Sequence, residues 1–270
     1  MRSIDRKLLR ELWRLKGQLF SIAMVVATGI MSVVTKRGGY DALAAAQGAY
    51  YADTRFADAW VSLTRAPEDV GADILALAGV AAVDTRVTAL ARLDLPGLGA
   101  PGTGRFVSLP EAGRPRLNDV RILSGRALGP GARDEVLASE KFVAARGLIP
   151  GDSVRAILNG RLRTLTIVGV ASSPEHSYSV PPGSLYPDDD RYGVFWMNRD
   201  ALGAVYDLDG AFNELVLSVV PGVDPEAVIV EVDRILDAYG GQGAYPRADQ
   251  ISHQVLQSEL DQNRVMSTAI

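Results

Sequence analysis

The chain has 270 residues, 47% of them hydrophobic and 22% charged, with a formal net charge of −4 and no cysteine. That length suffices for one large domain or two small ones with real cores. The lack of cysteine excludes a disulfide framework and any thiolate site, and the acidic balance offers no electrostatic footprint for nucleic acid.

Residues 1–16 hold Arg2, Arg6, Lys7, Arg10, Arg14 and Lys16 against Asp5 and Glu11, a local +4 that leaves −8 for the remainder. Leu8, Leu9, Leu12, Trp13 and Leu15 interleave with the cations, so this leader reads as an amphipathic helix on the inner face of a membrane. An ordinary positive flank with no further role is the plainer alternative.

Residues 17–35, GQLFSIAMVVATGIMSVVT, contain no charge. As a helix they span roughly 28 Å, close to the roughly 30 Å of a bilayer's hydrocarbon core. The Leu, Ile, Val and Phe among them favour insertion by roughly 0.3 to 0.6 kcal/mol each, with no ionised group in opposition. A cleaved signal peptide would end in a small-residue cleavage site, but Lys36 and Arg37 follow directly. A buried helix of a soluble domain would carry a broader polar stripe than Ser21, Thr28 and Ser32. The expectation is one transmembrane helix in the inner (cytoplasmic) membrane. Its cationic N-terminus lies inside, and the acidic remainder lies in the periplasm or another extracytoplasmic space.

Residues 36–54 are predicted as a stalk helix, with Leu43, Ala46 and Tyr50 on one face. Phe56 to Leu63 alternates as a strand, and Pro67 with Glu68 and Asp69 opens a helix closed by Gly79. Val80 to Leu95 returns as one strand. After the Gly/Pro loop Leu95 to Gly104 come strands over Arg105 to Leu109 and Glu135 to Ala138, then a helix capped by Ser139 and stopped at Gly147. Asn159-Gly160 joins Ser153–Leu158 to Arg161–Ala171 as a hairpin. Pro174 to Arg191 is a long irregular loop, and Gly193 to Met197 is a strand. A second strand–helix–strand unit follows: Phe212 to Val220, a helix capped by Asp224 with Pro225 first, and a short strand near Tyr245. The final helix starts at Ala248. Its end, Val265 to Ile270, reads as the start of a second span, so a truncated chain is expected.

The fold class expected is α+β. An α/β subdomain from 55–95 and 205–247 flanks an inserted β-rich subdomain over 96–204, and 248–270 forms a second stalk.

Catalytic signatures are missing. Gly97 to Gly102 matches G-x-G-x-x-G, but Pro101 interrupts it and a strand follows where a helix is needed. There is no Walker loop, no G-x-S-x-G and no H-E-x-x-H, and His176 and His253 lack a second ligand at metal spacing. Asp188-Asp189-Asp190 reads as a solvated turn rather than a cation site. No catalytic, cofactor or metal residue is assigned, and an enzyme is not expected. In the long loop, Tyr178, Leu185, Tyr186 and Tyr192 form the candidate partner contact.

Leu15 to Leu19 at the start of the span resembles the entry to FtsX/MacB-type ABC transporter permeases. So do Tyr50-Tyr51, Phe56-Ala57-Asp58 and Arg65-Ala66-Pro67, and the stretches Leu137 to Asp152 and Leu165 to Val170 resemble that family's periplasmic core domain. The resemblance implies a dimeric permease, a homo- or heterodimer, with ATP bound by a partner ABC ATPase subunit and no cofactor in this chain. It further implies stalk helices that pass ATP-driven movement to the periplasmic domain, and an adaptor or substrate protein met there. Export or release of a lipoprotein or envelope substrate would be the task. An FtsX-like regulator of a cell-wall hydrolase and a single-span anchored receptor stand as alternatives.

Overall fold

A computed structural model describes residues 16–97 and 99–268, without the side chains of residues 19, 30, 32–41 and 263–268. The leader up to residue 15 lies outside the described residues, as does the end of the expected second span. By internal packing the chain forms two units. One comprises the N-terminal helix up to Ala49 and the last helix from Leu256; the other is Tyr50–Val255.

In the first unit, helix α1 (Lys16–Asp53) joins the expected span and stalk without a break. Phe20, Ile22, Met24, Val25, Val26 and Met31 are exposed on it. The hydroxyls of Ser21 and Thr28 donate to the carbonyls of Gly17 and Met24 in their own helix. Among the described residues no helix is long and apolar enough to cross a membrane, and part of the 17–35 run falls on side chains outside that description. Gln47 accepts a 3.4 Å hydrogen bond from Gln257 of the last helix.

The second unit starts with a four-stranded sheet. Strands β1 (Ala59–Pro67) and β2 (Val80–Arg86) flank helix α2 (Glu68–Leu75) in sequence. The other two are β10 (Ala211–Val219) and β11 (Tyr245–Pro246), and the order is β11-β1-β10-β2, every pairing antiparallel. This is the interleaved split β-α-β arrangement, in which each crossover helix returns its strand beside the other unit's. The second crossover helix, α5 (Pro225–Leu236), has its N-cap Asp224 accepting from the Glu226 amide with Pro225 in the first turn, as expected. Ala59, Val61, Leu63, Leu215 and Leu217 turn one face of the sheet towards Val70, Ile74, Val228 and Val232 of the helices. With a side-chain period of two, Trp60, Asp84, Arg86, Glu214 and Val216 occupy the other face.

The large middle section forms a seven-stranded sheet: β3 (Thr88–Asp94), β4 (Gly102–Leu109), β5 (Arg121–Gly125), β6 (Glu135–Ser139), β7 (Ser153–Leu158), β8 (Arg161–Ser172) and β9 (Tyr192–Asn198). The order is β5-β8-β6-β9-β4-β3-β7, and β7 pairs again with β8. Six strands therefore close into a ring with β5 appended to β8, which removes most open edges. The ring is filled by Leu93, Phe106, Val154, Ala156, Leu165, Ile167 and Phe195, and helices α3 (Glu140–Arg146) and α4 (Arg199–Val205) add Phe142 and Leu202. Asn159 and Gly160 turn the β7–β8 hairpin with φ of 45° and 76°, the positive pair that a two-residue turn requires.

Several expectations need correction. Val80 to Leu95 is not one strand. It breaks at the buried Val87, where the chain leaves the four-stranded sheet for the ring, so residues 88–95 belong with the β-rich part. Asn213 repairs the break by donating to the Thr88 carbonyl and accepting from the Thr88 amide at 2.8 and 2.7 Å. The first strand starts at Ala59 rather than Phe56 and runs to Pro67, whose extended backbone leads into α2. Ser139 sits at the helix start but makes no cap hydrogen bond there; its hydroxyl accepts from the Val194 amide instead.

Candidate functional site: a buried charge cluster where the two sheets and the last helix meet

The polar face of the four-stranded sheet lies against the barrel, and a four-charge cluster fills the contact. Arg86 stands opposite Glu214 in the β2–β10 register. Glu175, in the short 3₁₀ turn Pro174–His176 that follows β8, meets Arg86 through two parallel hydrogen bonds of 2.7 and 2.6 Å. The same guanidinium reaches Glu214 at 2.5 Å, and Arg105 of β4 holds the other Glu214 oxygen at 2.6 Å. Trp60 Nε1 and Asn118 Nδ2 each donate to Glu175 at 3.0 Å. Arg86, Glu175 and Glu214 are all buried. Two positive and two negative charges balance, as burial demands. A second tie lies nearby, where Arg199 of α4 bonds Glu68 and the carbonyls of Thr85 and Ala211.

The electrostatics follow from this packing. Burial alone would raise the Glu175 pKa, but the adjacent Arg86 guanidinium overcomes it and brings the carboxyl down to about 2. Burial works in the opposite direction on the His176 base, stripping water from the ring and lowering its pKa from 6.5 to about 4. Arg105 and Arg86 push the same way, against the Glu175 carboxylate. His176 Nε2 is shut off from solvent and has no hydrogen-bond partner among the described residues.

A stability change with pH is expected from His176. The unfolded chain takes up a proton near pH 6.5 and the folded chain only near 4. The stabilisation is therefore complete above 6.5 and is lost as pH falls towards 4, by up to about 3 kcal/mol. Urea midpoints measured between pH 7 and 5 should fall for the native chain and fall less for His176→Gln. Glu175 does not confuse that window, because its own loss sets in only below its unfolded value of 4.5.

The root of the last helix, α6 (Ile251–Thr268), is bonded into the same place. Gln250 Nε2 and Ser252 Oγ donate to the Glu175 carbonyl at 2.7 and 2.9 Å, and the Tyr178 amide donates to Ser252 Oγ. Arg247 bonds the carbonyls of Phe56 and Ala57 and the Asp58 carboxylate, at 2.6 to 2.8 Å. Tyr51, near the end of α1, meets His253 Nδ1 at 3.1 Å. Residues that leave α1 and enter α6 are thus stitched to one another, and α6 is stitched to Glu175.

The four sequence candidates do not form one surface. Leu185 and Tyr186 project at 85% and 75% exposure, but Tyr192 is buried in β9 and cannot offer its ring to a partner. Tyr178 is half-buried beneath the Lys141 ammonium. Gly97 and residues 99–101 stand between antiparallel β3 and β4, and Gly102 begins β4, with no helix start there. Among the described residues no group of three His, Asp or Glu is placed to hold a metal. Sequence reasoning missed Arg86, Glu175 and Glu214. The available signal was a charged residue inside an otherwise apolar strand, as Glu214 is in AFNELVLSV.

The cluster therefore joins the four-stranded sheet, the barrel and the residues that enter α6. No family model matches the chain, and no curated protein matches it. Among solved structures it is similar to the extracellular domain of the noncanonical ABC-type transporter YknZ from Gram-positive bacteria. That match has a TM-score of 0.44 and 10% identity, over 70% of this chain and 98% of that one. It is also similar to the periplasmic region of MacB from Actinobacillus actinomycetemcomitans, with a TM-score of 0.42 and 10% identity over 74% and 91%. A domain described as that of a permease protein from Porphyromonas gingivalis gives a TM-score of 0.37 at 14% identity, over 72% and 90%. These are proteins of the kind that the sequence resemblance names.

Proposed function

We propose that the chain is the anchor and extracytoplasmic domain of an FtsX/MacB-type ABC transporter permease. In this reading 17–35 spans the inner membrane with Met1 inside, and a partner ATPase moves the domain through the two helices. The observation that carries the proposal is the shared root: Tyr51–His253 ties the helix ends together, and Gln250 and Ser252 tie the second helix to Glu175. From Glu175 the path runs through Arg86 and Glu214 to Arg105 of the barrel. Displacement of α6 then moves both sheets as one body. The span itself is supported by the exposed apolar side chains of α1 and by hydroxyls satisfied within the helix, as lipid requires. The reading assigns ATP hydrolysis to the partner and none to this chain, and it takes an adaptor or an envelope substrate as the load on the barrel.

The test is purification from membranes through a tag at Met1. An ABC-type ATPase is expected in the product, with its nucleotide turnover altered several-fold by the pair Gln250→Ala and Ser252→Ala. A chain found outside the membrane fraction, or one that leaves the membrane with no ATPase, overturns the proposal.

A further inference from the structure

Two buried polar atoms outside the charge cluster have no hydrogen-bond partner among the described residues, and both belong to residues that line one cavity. They are His176 Nε2 and Ser173 Oγ, the latter on a residue only 2% exposed. The cavity, of about 130 Å³, lies between the end of β8, the start of α3, strand β9 and the turn that carries Glu175. That is several times the roughly 30 Å³ share of one water in the liquid, and close to the roughly 150 Å³ that holds a six-membered ring.

The lining separates into an apolar floor and a polar rim. Tyr192, Val194 and Trp196 alternate along β9, so they share the face opposite Phe195. The Trp196 ring lies 6.1 Å from that of His176. Around this floor stand hydroxyls with bonding capacity to spare. Ser139 accepts from the Val194 amide and keeps its proton to donate. Ser177 and Ser179 donate to the Pro174 and His176 carbonyls and keep lone pairs to accept. Charge in the lining is confined to Glu140 and Lys141, which are exposed, and the half-buried Asp189.

These groups select among occupants. A hydrocarbon leaves Ser173 Oγ and His176 Nε2 unpaired. A charged group beside them meets only a hydroxyl and an imidazole that is neutral at pH 7, its pKa being about 4, so no counter-charge balances it. Hydroxyl groups serve both atoms, donating or accepting as the His176 tautomer requires. A compact ring with hydroxyls on its edge and C–H bonds on its face matches rim and floor together.

We propose that this cavity binds one neutral sugar ring. The ring lies on the β9 floor with a hydroxyl edge towards Ser173 and His176, and its outer hydroxyls meet Glu140, Lys141 and Asp189. The volume takes one ring and no second, so the ligand is a free monosaccharide or the end unit of a glycan. The turn that walls the cavity also holds Gln250 and Ser252 through the Glu175 carbonyl, so the bound ring and the root of α6 share that turn. The site does not rest on the transporter reading.

Full-length protein in a detergent without a sugar headgroup would be titrated with D-glucose, D-galactose and N-acetyl-D-glucosamine. Saturation-transfer NMR reads binding, and hydrogen exchange locates it. At least one sugar is expected to bind saturably and to slow exchange several-fold over residues 171–179 and 192–196. Ser173→Ala should weaken binding about tenfold. Its urea midpoint should stay at or above the native value, because the alanine removes an unpaired buried hydroxyl. His176→Phe, which keeps a ring without its nitrogens, should weaken binding in the same way. Cyclohexanol, a ring of the same size with one hydroxyl, should bind about tenfold more weakly than the sugar. Tighter binding of the matching disaccharide assigns the ring to a glycan end, and equal binding to a free sugar. The proposal is overturned if none of the three sugars binds, or if the change in exchange falls elsewhere. It is equally overturned if both variants bind as the native chain does, or if acetate or methylammonium is held there instead.

Discussion

Replacing Arg86 with leucine is expected to destabilise the protein by about 3–5 kcal/mol at pH 7, enough to unfold a domain of ordinary stability. The guanidinium supplies three of the hydrogen bonds that hold Glu175 and Glu214, and both carboxylates lie in the interface between the sheets. Without it two negative charges face Arg105 alone. The variant should recover stability as pH falls, because burial raises the Glu175 carboxyl once the Arg86 guanidinium that lowers it is gone. The native chain behaves in the opposite way. Glu175, held near pKa 2, contributes stability that is complete above 4.5 and is lost as pH drops from 4.5 towards 2. Urea titrations at pH 7, 5 and 3 check the inversion, and a destabilisation of the variant that is equal at all three would refute it. Arg86→Lys should keep the charge but still show part of the loss, because an ammonium cannot grip Glu175 at two points while also reaching Glu214.

That cluster was the least legible feature of the sequence. Arg86 is 89 positions from Glu175 and 128 from Glu214, and nothing local in VAAVDTR or PEH marks them as partners. The Asn159-Gly160 hairpin and the Asp224-Pro225 helix start were readable because a few neighbouring residues fix their dihedrals. Strand β5, with the sequence RILSG, is exposed throughout, so it has no alternation to detect. Helix α4 is only seven residues long, too short to show a helical period. The switch at Val87 is invisible locally because both β2 and β3 have strand-like sequences. What divides them is the distant Asn213, which takes over the hydrogen bonds that a continuing ladder would have made. The length of the 174–191 loop marks it as a candidate contact but does not say which side chains it exposes: Tyr192 is the first residue of the buried strand β9, while Leu185 and Tyr186 project.

Phe195→Ala carries the other large expected effect. Its ring is fully buried, stacks on Phe106 at 5.0 Å and meets Phe142 edge-on at 5.2 Å. The neighbouring backbone is shaped around these rings: a Cβ on Gly193 would lie 2.8 Å from Phe142 and 2.9 Å from Phe195, and one on Gly104 would lie 2.9 Å from Phe106. Truncation therefore opens a cavity that cannot collapse without moving β4, β9 or helix α3, at a cost of about 3–5 kcal/mol. The position of the damage matters as much as its size. Phe195 belongs to the barrel core, while Val61, Leu215 and Val232 form a separate core between the four-stranded sheet and its helices. Hydrogen exchange should then show β4, β6 and β9 losing more protection than β1 and β10, since the sheet keeps its own apolar layer. Equal loss in both would mean that the charge cluster binds the two cores into a single cooperative unit.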